Sequence, residues 1–179
     1  MNKIFIFLLG IAAAFGALIL QTIFTIIFPA LENSALSEKI GTFMLLAIFI
    51  EELIKLGLLW KISKSAKNIF WYSITLGSGF AVAEIFLNIL NNSPLDSELF
   101  LSYFGLFLIH VFTSSIYGLY FTKREPSSIL GILAIFCLGY FFHFLFNFFV
   151  FISINSLILN GGLSILIFSA FFLGKNSKK

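Results

Sequence analysis

The chain is poor in most of what marks a soluble catalytic domain. Only 11% of its 179 residues are charged, against roughly 25% in an average soluble domain. Its one cysteine, Cys137, allows no intramolecular disulfide and no C-x-x-C metal or redox pair. Within "AIFCLGY" that thiol reads as a small apolar helix residue. The one aspartate, Asp96, falls in a polar break, which excludes chemistry that needs two aspartates inside a membrane. There are two histidines but no H-E-x-x-H zinc signature. The net charge is only +3, and no basic stripe alternates with aromatics, so nothing points to nucleic acid. No repeat, heptad or low-complexity segment breaks the apolar bias.

What is abundant is hydrocarbon. Hydrophobic residues make up 60% of the chain, 26 of them phenylalanine. That is more than one core can bury, so lipid must cover much of the surface. A span needs about 20 apolar residues, and six stretches qualify: about 4–28, 40–60, 69–91, 99–121, 129–153 and 156–174. The expectation is a multi-pass protein of the cell membrane: an all-α, polytopic transmembrane helical bundle, one domain over 1–179 with a motif-bearing core at 40–153. Short polar breaks, "ALENSALSEK", "KISKSAKN", "NNSPLDSE" and "TKREPSS", read as loops. The last break falls either at "SINS" or at "NGG" (160–162), and the second choice leaves the final segment too short to span.

Six spans with both termini in the cytoplasm place Lys3, Lys61, Lys64, Lys67, Lys123, Arg124, Lys175, Lys178 and Lys179 inside and only Lys39 outside. This nine-to-one bias follows the positive-inside rule. The first segment starts like a signal peptide, but its apolar run exceeds the usual 7–15 residues, and an uncleaved helix is expected.

Few strongly polar residues remain within the spans: Glu51, Glu52 and Lys55 in the second, Glu84 and Asn88 in the third, His110 in the fourth, and His143 and Asn147 in the fifth. Gln21 in the first is a lesser case. Each ionised group at mid-membrane costs on the order of 2.5–3.5 kcal/mol, so the set needs a compensating role. Counting 1.5 Å per residue from the cytoplasmic helix ends puts Glu51 about 14 Å deep, His110 about 16 Å, Glu84 about 20 Å and His143 about 21 Å. Groups on four helices at similar depth suggest one shared site. Spacing agrees. His143 and Asn147 are i,i+4, as are Glu84 and Asn88, so each pair shares a face. His110, Thr113, Ser114 and Tyr117 form one polar stripe. Glu51 and Lys55 have ion-pair spacing. Glu52 is turned about 100° from Glu51, so one glutamate is expected to face the site and the other to pair with Lys55 or brace the third helix. Gly77, Gly79, Ala81 and Ala83 allow close helix approach, which would bring Glu84 near the glutamate pair.

Buried ion pairs joining helices are the structural alternative. Pairing, however, does not require three carboxylates and two imidazoles at one depth. Carboxylates and imidazoles are general acid–base groups. A glutamate can take a proton from water, an imidazole can share it, and a His/Asn pair can donate hydrogen bonds to an oxyanion. That chemistry suits amide hydrolysis within a membrane. A rhomboid-like serine arrangement does not fit, because "HFLFN" comes last and "GSG" lacks the needed frame. A proton-coupled transporter component would also use buried Glu and His, but no inverted repeat supports it. A non-catalytic immunity or binding protein on the same scaffold is the other alternative.

Four motifs, "EELIK" (51–55), "GSGFAVAE" (77–84), "HVFTSSIYG" (110–118) and "HFLFN" (143–147), resemble in order those of the PrsW-type glutamic intramembrane proteases, in the superfamily of the CAAX proteases and bacteriocin-immunity proteins. The E-E-x-x-K form favours PrsW over the CAAX branch, and Ile85 departs from the asparagine often found there. The resemblance implies an intramembrane endopeptidase in which Glu51 or Glu52 activates water with His110 assisting. It also implies that His143 and Asn147 stabilise the oxyanion, Glu84 is a further essential carboxylate, and Lys55 and Asn88 support them. Glu51 is the expected base. No cofactor is expected; a zinc-dependent alternative would use Glu51, His110 and His143. The implied partner is a single-pass or lipid-embedded membrane protein, an anti-sigma factor in known members.

Overall fold

All three prolines, at 29, 94 and 126, fall outside the long apolar runs, so no helix interior loses a hydrogen bond to a proline ring. The computed structural model describes residues 2–29, 35–37, 40–66, 68–91, 97–123, 128–152 and 154–176. The runs fold as six helices: α1 Lys3–Ile27, α2 Thr42–Ser63, α3 Ile69–Asn91, α4 Ser97–Lys123, α5 Ile129–Phe151 and α6 Ser156–Asn176. Between α1 and α2 a small antiparallel ladder joins β1, Ala35–Ser37, to β2, Ile40–Gly41. Most of the expected loops at 30–39, 91–98 and 122–128 lie outside the described residues. Asn2 caps α1 by accepting from the Ile4 amide at 3.0 Å, and Ser128 caps α5 through the Gly131 amide, each meeting an otherwise orphaned donor.

The chain breaks at "SINS" and not at "NGG". Residues 160–162 lie within α6, where the Asn160 amide donates to the Leu101 carbonyl of α4 at 2.8 Å. The count of spans differs from expectation: five of the six helices, all but α2, are long and apolar enough to cross a membrane. Helix α2 has the length, at 22 residues, but Glu51, Glu52 and Lys55 interrupt its apolar run. Its ionisable groups are held by neighbouring helices, and Glu52 and Lys55 are fully buried.

Helix α4 is the centre of the bundle. In its most apolar stretch 72% of residues are buried, against 17–39% in the other candidate spans. Its main packing partners are α3 and α6, and α1 packs mainly on α3. The outward faces carry large apolar side chains such as Phe5, Ile19, Phe86, Leu130 and Phe168, as a lipid-covered surface requires. Glycines set two close approaches of α3 to its neighbours. A Cβ at Gly79 would collide with the Phe7 carbonyl of α1, and one at Gly77 would lie 2.6 Å from the His110 carbonyl oxygen of α4. Gly77 therefore fixes how near α3 comes to His110. Gly77→Val is expected to push the two helices apart and cost about 1–3 kcal/mol of stability, measured as a lower unfolding temperature in detergent. An unchanged unfolding temperature would show that this contact does not set the spacing.

Candidate active site

Neighbouring glutamates on a helix point about 100° apart, and α2 uses both directions. Glu52 faces the bundle interior. Its Oε1 accepts from Lys55 Nζ at 2.5 Å and lies 2.7 Å from His143 Nδ1; its Oε2 accepts from the Tyr117 hydroxyl at 2.7 Å. The ion pair is thus Glu52–Lys55, at i,i+3, and not Glu51–Lys55. Lys55 Nζ also donates to Thr113 Oγ1 at 3.0 Å and lies 3.1 Å from His110 Nδ1. The ammonium thereby has three neighbours for its three hydrogens. Gly139 leaves room for the Tyr117 hydroxyl, which a Cβ there would strike.

Glu51 faces the other way, toward α1 and α3. Its Oε1 accepts from Gln21 Nε2 at 3.0 Å, and its Oε2 lies 3.8 Å from His143 Nε2. His110 and His143 stand edge to face with ring centroids 4.9 Å apart. Glu84 does not join the Glu51–Glu52 pair directly; its Oε2 is 2.5 Å from His110 Nε2. That pair is close but lacks hydrogen-bond alignment, so both atoms remain buried without a hydrogen-bond partner, as does Ser114 Oγ. Buried polar atoms left this way cost about 1–3 kcal/mol each and call for a ligand or a function.

Glu51, Glu84, Asn88 and Gln21 line one cavity of about 210 Å³ between α1, α2 and α3, walled also by Ala14, Ala17 and Phe80. A larger hollow of about 420 Å³ near Ser102 and Asn155 has no ionisable group among the described residues that line it. The structure therefore gathers Glu51, Glu52, Lys55, Glu84, His110 and His143, with Asn88 on the cavity wall. Asn147 is half-buried one turn beyond His143, and among the described residues no hydrogen bond ties it to the cluster. Tyr117 and Thr113 were legible as part of the polar stripe of α4. Gln21 was the weakest signal, a lone amide with no spaced partner on its own helix.

The residues fit a divalent metal. Glu51, His110 and His143 each offer one ligand atom, all within 4.8 Å of one another, and two histidines with one carboxylate are a catalytic zinc donor set. With zinc–ligand distances of about 2.0–2.2 Å, two ligands of one ion lie no more than about 4.4 Å apart, and the 3.8 Å between Glu51 and His143 falls within that. Glu52 on the far nitrogen of His143 supplies the carboxylate–histidine support that such ligands use. His110 meets one condition: to ligate through Nε2 it must carry its proton on Nδ1, so the hydrogens of Lys55 must then serve Glu52 and Thr113 alone.

No curated protein and no solved structure matches the chain. A family profile described as "PrsW family intramembrane metalloprotease" matches residues 2–174. That description favours the metal-bearing alternative over the glutamic label. The resemblance carried by four short motifs thus extends over nearly the whole chain, which belongs to the PrsW family of intramembrane proteases.

Proposed function

We propose that the Glu51–His110–His143 cluster is the catalytic centre, and that it hydrolyses a peptide bond in a single-pass membrane protein. The carrying observation is the convergence of those three ligand atoms within 4.8 Å, with Glu84 against His110 on a cavity that reaches Glu51. In this reading Glu51, His110 and His143 hold a divalent ion. When bound, the ion would act as a Lewis acid toward the scissile carbonyl and an attacking water. Glu84, beside His110, takes the proton from that water and returns it to the leaving amide nitrogen, which balances the hydrolysis. Glu52 orients His143; Lys55 and Tyr117 orient Glu52. Asn147 is assigned no step. The substrate class follows the family: a membrane-anchored protein such as an anti-sigma factor. Both chain termini face the cytoplasm, on the nine-to-one distribution of basic residues and with α2 crossing as the sixth span.

Comparative membrane proteomics of wild-type and Glu51→Gln cells tests the reading. Uncut single-pass proteins should accumulate in the variant, and identical proteomes would end it. A second reading, metal-free acid–base hydrolysis by Glu84 and His110, draws on the Lys55–His110 contact. An ammonium hydrogen directed at Nδ1 leaves the ring proton on Nε2, facing Glu84. Metal removal separates the two. The purified protein is expected to hold about one divalent ion per chain, to lose cleavage on chelation and to regain it with Zn²⁺. Full activity in metal-free protein would select the second reading.

A further inference from the structure

We propose that Gln21 of α1 is a positioning residue for the reaction, holding Glu51 so that only one of its carboxylate oxygens is presented to the centre. The inference rests on the role of Glu51 proposed above. The Gln21 amide donates to Glu51 Oε1 at 3.0 Å and approaches the Ala47 carbonyl of the same helix at 3.4 Å. These two contacts on α2 lie one turn apart, so the amide plane is set from both. With Oε1 engaged, Oε2 is the oxygen left facing His143 Nε2. Freed from Gln21, the carboxylate could rotate and present either oxygen, or swing into the cavity it borders. Glu51 is only partly buried, so its surroundings alone do not fix that rotation. The other groups facing the cavity are Glu84 and Asn88 of α3. Helix α1 therefore belongs to the reaction centre, although its sequence carries no titratable residue beyond Lys3.

The amide's role is that of a donor, which separates positioning from packing. Gln21→Met keeps the length and removes the donor. Gln21→Asn shortens the side chain and keeps the amide donor. The test uses the whole chain in cells carrying wild type, Gln21→Met, Gln21→Asn or Glu51→Gln. The proteins that accumulate in Glu51→Gln cells serve as the probe, and their decay is followed in isolated membranes. Gln21→Met is expected to slow decay about 10–100-fold, the usual loss when a ligand's supporting partner is removed, with unchanged amounts of the protease in the membrane. Gln21→Asn, although further from glutamine in volume than methionine is, should retain decay at least about fivefold faster than Gln21→Met, because it keeps the donor. Wild-type decay rates in Gln21→Met, or equal impairment of Gln21→Met and Gln21→Asn, would overturn the proposal while leaving the role of Glu51 intact. If nothing accumulates in Glu51→Gln cells, both readings fall together.

Discussion

Glu51→Gln is expected to reduce cleavage by about 10²–10⁴-fold, the range over which a positioned acid–base or ligand carboxylate acts, while the protein inserts normally and unfolds as metal-free wild type does. The substitution keeps the shape of the side chain and an oxygen able to accept from Gln21 Nε2, which now bonds Glu51 Oε1. It removes the negative charge 3.8 Å from His143 Nε2. Because Glu51 borders a cavity and takes no part in the Lys55 ion pair, its charge is not needed to hold helices together. The measurement pairs cleavage of an accumulating membrane protein with thermal unfolding in detergent. Near-wild-type cleavage would remove Glu51 from the reaction. An unfolding temperature well below that of metal-free wild type would show that its role is structural.

Glu52→Ala should do the reverse, failing first as a folded protein. Glu52 is fully buried with Lys55 and also engages His143 and Tyr117. Its removal leaves an ammonium inside the bundle without its carboxylate, and breaking a buried pair in this way costs about 3–5 kcal/mol. The loss should appear as a lower unfolding temperature and a reduced amount of protein in the membrane. Any surviving protein should also cleave poorly, because His143 Nδ1 has lost its orienting partner. Replacing both members, Glu52→Leu with Lys55→Met, should recover much of the stability, since the uncompensated charge is gone, without recovering cleavage. If Glu52→Ala is as stable as wild type, the network around Lys55 does not hold the bundle together. The contrast between adjacent residues is the strongest consequence of the geometry: one glutamate is expected to matter for chemistry, the other for the fold that supports it.

The candidate cluster was legible because membrane chemistry makes it conspicuous. Three glutamates, one lysine and two histidines within apolar helices have few reasons to exist, and helical rise alone placed them at similar depth. Helical phase then established that Glu51 and Glu52 diverge and that His110, Thr113 and Tyr117 share a face. The structure agrees on both, with Thr113 on Lys55 and Tyr117 on Glu52. Gln21 was hard to weigh because a single amide on α1 gains meaning only from the α2 residue opposite it. The span count was expected from length, whereas α2 departs from the other helices in carrying three ionisable groups, held by the Glu52–Lys55 pair within α2 and by partners on neighbouring helices.

The sequence by itself thus determined a helical membrane bundle, the depth of its polar groups and the residues able to form one site, since length, hydropathy and helical rise are local properties. Only the tertiary structure decided that Lys55 takes Glu52, that Glu84 meets His110, that Gln21 holds Glu51 and that Asn147 stands without a hydrogen bond to the cluster. Those pairings depend on how each helix is rotated and how closely it approaches its neighbours. Contacts between distant segments set these distances, among them Gly77 against the His110 carbonyl and Gly79 against the Phe7 carbonyl, and no spacing along a single helix encodes them.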